Sequence, residues 1–193
     1  MKQEFKAEWY DERYKVGGHK REYFKEPEKC IYYPLWKEVV RLLKKKDRIL
    51  EIGCGAGQLA KMLIYSQFNY LRGFDFSEEA IFLSLSNLPF NHRDKIQVGD
   101  VYDKEMYDVD YDTTICCEVF EHLNGDREVL MNIKKDTKII FTVPNFDSKS
   151  HMRYFNNASE IRDRFKDLVK FISISEIPVS EENKIYLINC IKK

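Results

Sequence analysis

The sequence lacks any apolar run of about 18 residues, the length that a membrane-spanning helix requires, and its first residues lack the apolar core of a signal peptide. Lysine plus arginine and aspartate plus glutamate both number 32, so the chain carries no net charge. Without a positive field over the whole molecule, nothing favours nucleic acid or an anionic membrane as a partner. We therefore predict a cytoplasmic location, no membrane partner and no nucleic-acid partner.

Cysteine is scarce, and its spacing does not match the usual zinc motifs. The chain has five cysteines and no C-x-x-C pair, and two of the five are adjacent within an apolar run, at positions 116 and 117. An odd number without paired spacing indicates reduced thiols in a cytosolic protein. From this pattern we expect no metal site.

Glycine is also scarce, yet three of the eight glycines stand at positions 53, 55 and 57. They follow the apolar run 49–52 and precede a helical pattern. The order strand, glycine turn, helix suits a nucleotide-type ligand, because the backbone can approach it closely and the helix start offers free N–H groups. A dinucleotide fingerprint would have its last glycine where this chain has Gln58. Glu51 would repel a diphosphate but suits a cationic ligand; the alternative is a local cap or salt bridge.

The remaining pattern alternates strands and helices. We predict a helix over residues 34–45 and strands at 49–52, 70–75, 113–117 and 138–143, with a third short strand and its exit over 96–101. Two late strands are predicted at 168–174 and 184–191. Ser77 and Asn157 each have the residue type and position of a helix N-cap. Alternation predicts a parallel sheet with right-handed crossovers, and the two last strands predict an antiparallel edge.

Acidic residues stand at the predicted carboxyl ends of four strands: Glu51, Asp75, Asp100 and Glu118. Ligands of open α/β sheets bind outside those ends, so the four side chains should meet in one cleft. An acid about 20 residues after a glycine loop is where ribose hydroxyls are held in such folds. The sequence therefore predicts a ligand with a ribose and at least one positive charge.

Four motifs in order resemble those of class I S-adenosylmethionine-dependent methyltransferases. Residues 50–57 read Leu-Glu-Ile-Gly-Cys-Gly-Ala-Gly, 73–77 Gly-Phe-Asp-Phe-Ser, 99–101 Gly-Asp-Val and 118–123 Glu-Val-Phe-Glu-His-Leu. The resemblance covers about residues 35–193 and implies a three-layer, Rossmann-like α/β sandwich. Its seven-stranded, mostly parallel sheet would have the order 3-2-1-4-5-7-6 with strand 7 antiparallel. Residues 1–34, rich in aromatic side chains, would form an N-terminal arm or lid; the alternative is a segment simply docked on the sheet.

By the same resemblance, the cofactor is S-adenosyl-L-methionine and the product S-adenosyl-L-homocysteine. Asp75 would hold the ribose hydroxyls, with Phe76 beside the adenine, while Glu118 would lie near the sulfonium. The predicted cofactor residues are Glu51, Gly53, Cys54, Gly55, Gln58, Asp75, Phe76, Asp100, Val101, Glu118 and Val119.

The resemblance implies methyl transfer by in-line displacement to an oxygen or nitrogen nucleophile, most simply of a small molecule. Deprotonation of the acceptor calls for a base, and the candidates are His151, His122 and His19, with a purely structural role as the alternative for each. The predicted acceptor contacts are Arg153, Tyr154, Tyr10 and Tyr14. For Arg153 the alternative is a tie between its loop and Glu118 or Asp147.

Three other functions stay open at this stage. The first is a methyltransferase whose acceptor is an RNA or a protein, and the second is a protein that binds the cofactor without catalysis. The third is a nicotinamide oxidoreductase with the same fold, against which Glu51 and Gln58 argue. Strand 4 is not followed by an Asn/Asp-Pro-Pro-Tyr/Phe motif, and no Pro-Cys nucleophile is present. Amino methylation of bases in that style and methylation at cytosine C5 are therefore not expected.

Overall fold

A computed structural model describes residues 2–193 as one seven-stranded sheet flanked by helices on both faces. The strand order is β3-β2-β1-β4-β5-β7-β6, as the sequence resemblance implied. The strands are β1 Arg48–Ile52, β2 Asn69–Asp75, β3 Ile96–Val98, β4 Thr113–Cys116, β5 Lys138–Pro144, β6 Val169–Pro178 and β7 Lys184–Lys192. The helices are α1 Ala7–Lys15, α2 Tyr33–Leu42, α3 Gln58–Tyr65, α4 Glu78–Asn87, α5 Asp126–Asn132 and α6 Ala158–Phe165.

Pairing among β1 to β5 is parallel, and β7 runs antiparallel to both of its neighbours. In the central pair, Glu51 of β1 stands opposite Ile115 of β4. The β6–β7 pair has a register shift between Phe171 and Ser173. The predicted hairpin-like end of the sheet is thus present, and it is longer than the sequence pattern indicated.

Alternation along the central strands divides the core into one apolar layer on each face of the sheet. In β5, Ile139 and Phe141 pack with the α5 and α6 side chains, whereas Ile140 packs with those of α2 and α3. All three are fully buried. Side chains that point alternately to two helical layers explain why the parallel strands read as continuous apolar runs.

Local signals place the helix starts. The Ser77 hydroxyl accepts the N–H of Ala80 at the start of α4. The Asn157 side chain accepts the N–H groups of Ser159 and Glu160 at the start of α6. Both predicted caps are therefore confirmed, since each satisfies backbone donors that a helix start leaves free.

Strand and helix ends differ from the prediction by a few residues. The third strand ends at Val98, so residues 99–101 form its exit. Helix α2 ends at Leu42 rather than at residue 45, because Leu43 already has an extended backbone. The five cysteines are free thiols. Across residues 2–193, none of the helices combines the length and the apolar character needed to span a bilayer.

The N-terminal segment lies across the carboxyl edge of the sheet. Asp11 of α1 accepts the hydroxyl of Ser77 at 2.6 Å and the N–H of Glu79 at 3.2 Å, so it caps α4 from outside. Glu4 accepts the N–H of Asn124 at 2.7 Å, and Lys2 forms an ion pair with Asp147. These contacts fasten the segment to the loops that follow β2, β4 and β5, which places its aromatic side chains above the ends of the strands.

Candidate functional site

A cavity of about 1150 Å³ opens at the carboxyl ends of the strands, beneath the N-terminal segment. The four predicted acids line it together, although they come from four different strands and the loops after them. All eleven residues predicted to contact a cofactor also line it: Glu51, Gly53, Cys54, Gly55, Gln58, Asp75, Phe76, Asp100, Val101, Glu118 and Val119. The topology therefore brings together residues spread over 69 positions of sequence (119 minus 51, plus one).

The glycine loop is needed by the protein's own packing as well as by any ligand. Gly53, Gly55 and Gly57 have φ values of +69°, +53° and +76°, a region that residues with a Cβ rarely adopt. A Cβ on Gly53 would lie 2.3 Å from Cγ2 of Val119, and one on Gly55 would lie 2.9 Å from the Tyr14 hydroxyl. The loop is therefore packed closely between the segment after β4 and helix α1.

Asp75, at the end of β2, is buried and oriented by backbone donors. Its Oδ2 accepts the N–H of Gly55 and its Oδ1 accepts the N–H of Ser77, each at 3.0 Å. Burial raises the pKa of Asp75 to about 6, although these hydrogen bonds act in the opposite direction. The carboxylate is thus fixed beside the glycine loop, with further acceptor capacity for donors in the cavity.

Glu51 is almost fully buried in β1 and has one protein donor. The Tyr70 hydroxyl donates to its Oε2 at 2.6 Å. Burial raises the pKa of Glu51 to about 8, and the nearby charge of Asp75 also raises it. The alternative of a local salt bridge is not what the structure shows, because the partner of Glu51 is a neutral hydroxyl. A cationic group in the cavity would favour the ionised form of this carboxylate.

Glu118 has a left-handed backbone with φ of +57°, which is uncommon for a residue with a side chain. Thr142 of β5 holds it at two points: the Thr142 hydroxyl oxygen accepts the Glu118 N–H and its O–H donates to Oε1, each at 2.8 Å. Burial raises the pKa of Glu118. The turn after β4 is therefore a fixed conformation that directs this acid into the cavity.

The rim after β3 is more exposed. Asp100 is exposed, and its Oδ1 accepts the N–H of Tyr102 at 2.9 Å. The Val101 carbonyl accepts the Tyr107 hydroxyl at 2.7 Å. These bonds shape the loop at the side of the cavity where the resemblance places the adenine.

Gln58 has a structural role that its position in the glycine motif did not indicate. Its Nε2 donates to the carbonyls of Glu22 and Lys25 at 2.8 and 2.9 Å. Both amide hydrogens are thereby used to hold the N-terminal segment against α3. Any contact of Gln58 with a cofactor would have to come from its oxygen.

Aromatic side chains of the N-terminal segment form the roof of the cavity. Tyr10 packs against Phe76, with ring centroids 5.1 Å apart, and meets the ring of His122 edge-on at 5.9 Å. Tyr14 stacks on Tyr23 at 4.3 Å. The roof therefore spans the two sides of the cavity that β2 and β4 supply.

The three candidate bases line the cavity in different surroundings. His122 and His151 are adjacent, with ring centroids 5.1 Å apart, whereas His19 is exposed on the N-terminal segment. Burial lowers the pKa of His122 to about 4 and also lowers that of His151. Burial therefore favours the unprotonated form of both imidazoles. His92 lies in the short 3₁₀ helix Phe90–Lys95 and is not among the residues lining this cavity.

Two predicted acceptor contacts lie outside the cavity lining. Arg153 donates to the carbonyls of Phe120 at 2.9 Å and Asn124 at 3.1 Å, and forms an ion pair with the fully buried Asp126 at 3.3 Å. Its donors are therefore used to tie the loop after β5 to that after β4, but through Asp126 and not through Glu118 or Asp147. Tyr154 is exposed beside it and is not part of the lining either.

Sequence reasoning missed several residues that shape the site. Glu121 was quoted within a motif but given no role, yet it is fully buried between the two adjacent histidines and Glu118. Tyr70 and Asp11 were also missed, because each acts on a residue distant in sequence.

Comparisons with known proteins agree on one kind of domain. Residues 50–138 match the family model described as a methyltransferase domain. The chain is 25% identical over 144 residues to a ubiquinone biosynthesis O-methyltransferase of Neisseria meningitidis serogroup C, covering 67% of this chain and 59% of that protein. The protein of the same name from Rickettsia bellii is 29% identical over 144 residues, covering 70% and 59%. The chain thus spans about three fifths of the length of these curated relatives.

A solved structure extends the likeness to the whole fold. The N-methyltransferase NodS from Bradyrhizobium japonicum WM9, in complex with S-adenosyl-L-homocysteine, superposes with a TM-score of 0.70 at 15% identity. The match covers 96% of this chain and 98% of that one. At this identity the likeness concerns the fold alone.

Proposed function

Since the chain belongs to the class I S-adenosylmethionine-dependent methyltransferase family, we propose that it transfers a methyl group from S-adenosyl-L-methionine to a small-molecule nucleophile. The observation that most supports this proposal is the convergence of Glu51, Asp75 and Glu118 on one cavity beside the glycine loop. A diphosphate cofactor would be repelled by these three carboxylates, of which Glu51 and Asp75 are buried and Glu118 is half-buried. A sulfonium cofactor with an ammonium group and a ribose would find a partner for each of its polar parts.

Each acid has a proposed part in holding the cofactor. Asp75 accepts the ribose hydroxyls, because its carboxylate is fixed next to Gly55. Glu51 stabilises the ammonium group, whose charge offsets the burial of the carboxylate. Glu118 lies beside the sulfonium, held there by Thr142. Phe76 and Val101 flank the adenine. The demethylated product, S-adenosyl-L-homocysteine, keeps every one of these contacts except the charge on sulfur.

The transfer is an in-line displacement. The acceptor atom must lie about 3 Å from the methyl carbon, opposite the sulfur, with water excluded. His122 and His151 line the cavity, and the Nδ1 of each faces a carbonyl oxygen, so the Nε2 of either ring has a lone pair for the acceptor's proton. An oxygen nucleophile is favoured over nitrogen, because both curated relatives are named O-methyltransferases.

We further propose that the N-terminal segment, residues 1–34, acts as a lid over a methyltransferase domain formed by residues 35–193. Its roof of aromatic side chains supports a small, partly apolar acceptor rather than a macromolecule. Replacing Tyr10 by alanine removes the contact with Phe76 and is expected to raise the KM for the acceptor several-fold. Tyr65→Ala, at an exposed tyrosine on α3, is the matched control. Equal kinetics in the two variants would contradict the lid.

Calorimetry tests the cofactor, and turnover tests the reaction. We expect S-adenosyl-L-homocysteine to bind the purified chain and NADH not to bind; the reverse would indicate an oxidoreductase. Methyl-labelled S-adenosyl-L-methionine is then offered with small molecules carrying hydroxyl or amino groups, with RNA and with proteins. Transfer only to RNA or protein would contradict the small-molecule acceptor. Tight binding without transfer to any of them would indicate a non-catalytic binding protein.

A further inference from the structure

Three ligand-type side chains meet at the acceptor side of the cavity. Glu121 and His122 belong to a short 3₁₀ helix, Phe120–His122, that follows β4, and His151 comes from the loop after β5. One possible metal-ligand atom from each lies within 4.8 Å of the other two. We define these three residues as the EHH cluster. Glu121 has no part in the proposed binding of the cofactor or the acceptor.

Both histidines of the EHH cluster are held in the orientation that metal ligands require. Nδ1 of His122 lies 3.0 Å from the carbonyl oxygen of Ser150, and Nδ1 of His151 lies 3.0 Å from that of Phe146. A carbonyl oxygen only accepts, so Nδ1 carries the proton in each ring and Nε2 keeps a free lone pair. Imidazoles that bind metals are commonly fixed in this way, with the second nitrogen donating to a carbonyl.

The burial of Glu121 is a second reason to expect a cation at the EHH cluster. Its side chain is fully buried, and neither carboxylate oxygen has a hydrogen-bond partner among residues 2–193. Its backbone carbonyl accepts the N–H of Met152 at 2.6 Å, which fastens the loop that carries His151 against the 3₁₀ helix. A buried carboxylate without a donor costs several kcal/mol unless a cation accompanies it. The site therefore places a carboxyl group that lacks hydrogen-bond donors beside two imidazole nitrogens that can bind a cation.

We propose that the EHH cluster binds one divalent first-row transition-metal ion, such as Mn²⁺, Fe²⁺, Co²⁺ or Zn²⁺. Two imidazole nitrogens select these ions over Mg²⁺ and Ca²⁺, which prefer oxygen ligands throughout. Metal–ligand bonds of about 2.1 Å place the ligand atoms of a tetrahedral site about 3.4 Å apart, so binding draws atoms of the cluster together by up to roughly 1.4 Å. Cysteine spacing gave no indication of such a site, because no thiolate takes part in it.

The ion would have open coordination positions, and His122 and His151 face the cavity. This part of the inference rests on the proposed methyltransferase function: a hydroxyl oxygen of the acceptor binds the ion, which lowers the hydroxyl pKa. With Nε2 of His122 and His151 bound to the ion, neither histidine can act as the base, so the hydroxyl loses its proton to solvent. Its oxygen then forms a bond to the methyl carbon. The sulfur–carbon bond breaks, and its electron pair stays on sulfur to give S-adenosyl-L-homocysteine.

Cobalt provides a direct probe of the site. The full chain is stripped with EDTA and titrated with Co²⁺, followed by calorimetry and by visible absorption. We expect one ion per chain and d–d bands without a thiolate charge-transfer band. Glu121→Gln and His151→Gln should weaken binding at least ten-fold, whereas the control His92→Gln, outside the cavity, should leave it unchanged. Absence of binding, a thiolate band, or equal binding by all variants would overturn the proposal.

A second measurement uses only the wild-type chain, so its result does not depend on whether the variants fold. The unfolding temperature of the EDTA-stripped wild-type chain should rise when Zn²⁺ is added, and return when EDTA is restored. No rise would overturn the ion site. Titration of the same stripped protein with S-adenosyl-L-homocysteine separates the two proposals. A chain that binds the nucleoside but fails to bind a metal ion rejects only the ion site. A chain that binds the metal ion but fails to bind the nucleoside rejects only the methyltransferase.

Discussion

Replacing Asp75 by asparagine is expected to weaken S-adenosyl-L-homocysteine binding about ten-fold or more at pH 7.5, which corresponds to roughly 1.4 kcal/mol. The two carboxylate oxygens of Asp75 accept N–H groups from Gly55 and Ser77. Asparagine has nearly the same shape but only one acceptor oxygen, so its NH₂ group must face one of those donors. The ribose hydroxyls would also lose a charged acceptor, and charge-assisted hydrogen bonds are about twice as strong as neutral ones.

The same substitution predicts a pH dependence of known sign. Burial raises the pKa of Asp75 from 3.8 to about 6. Its contribution to the stability of the ligand-free protein is therefore fully present below pH 3.8 and is lost as the pH rises through 6. The ligand needs the ionised form, which at pH 5 is only about a tenth of the free protein. The ratio of variant to wild-type Kd should therefore fall from about ten at pH 7.5 to near one at pH 5.

Calorimetric titrations at pH 5, 6 and 7.5 measure this ratio. Taking the ratio cancels the titration of other groups in the cavity, which are common to both proteins. Asp94→Asn is the matched control, because Asp94 is exposed and outside the cavity. It should behave as the wild type at every pH. A ratio that does not change with pH, or an Asp75→Asn variant that binds as tightly as the wild type, would refute the assignment of Asp75 to the ribose.

Three further predictions concern other parts of the molecule. Because burial raises the pKa of Glu51 to about 8, binding of the ammonium group at pH 7 should release a proton from this carboxyl. The release is seen as a buffer-dependent binding enthalpy, which Glu51→Gln should reduce; an enthalpy with the same buffer dependence in both proteins would contradict this. Gly53→Ala should lower the unfolding temperature, since its Cβ would lie 2.3 Å from Val119. Adding Val119→Ala should restore part of the loss; no recovery would contradict the clash with Val119 and attribute the whole loss to the strained φ of residue 53. Arg153→Leu should destabilise the fold by roughly 2 kcal/mol, because it leaves the buried Asp126 with one partner fewer. The affinity for the cofactor should not change. A variant of wild-type stability with a raised KM for the acceptor would instead support an acceptor contact.

The sheet and its order could be predicted because the signals for them are local and repeated. Apolar runs alternate with amphipathic helices, and the caps at Ser77 and Asn157 depend only on residues within three positions. The cavity lining followed from the same pattern, since the carboxyl ends of parallel strands meet at one edge. What could not be predicted depends on contacts between distant residues.

Arg153 illustrates that limit. Its sequence neighbours, His151 and Tyr154, suggested an acceptor contact, yet its partner Asp126 lies 27 positions earlier, and no local pattern connects them. Gln58 similarly donates to carbonyls more than 30 positions away. Long polar side chains have many partners within reach, so their choice is decided by the packed structure and not by spacing.

The glycine loop shows a partial success of a different kind. Its spacing correctly predicted the strand–turn–helix arrangement, and the need for close approach was attributed to a ligand. In the structure, Val119 and Tyr14 already occupy the space that side chains at Gly53 and Gly55 would need. Packing within the protein is therefore sufficient to require glycine at these positions, whether or not a ligand is bound.

The central claim is that the acid-lined cavity holds a cationic sulfur nucleoside. A crystal structure of the chain grown with S-adenosyl-L-homocysteine tests it most directly. The proposal predicts ligand density along the glycine loop, with the ribose hydroxyls on Asp75, the ammonium group near Glu51 and the sulfur next to Glu118. Density for the nucleoside elsewhere, or an empty cavity at saturating ligand concentration, would contradict it.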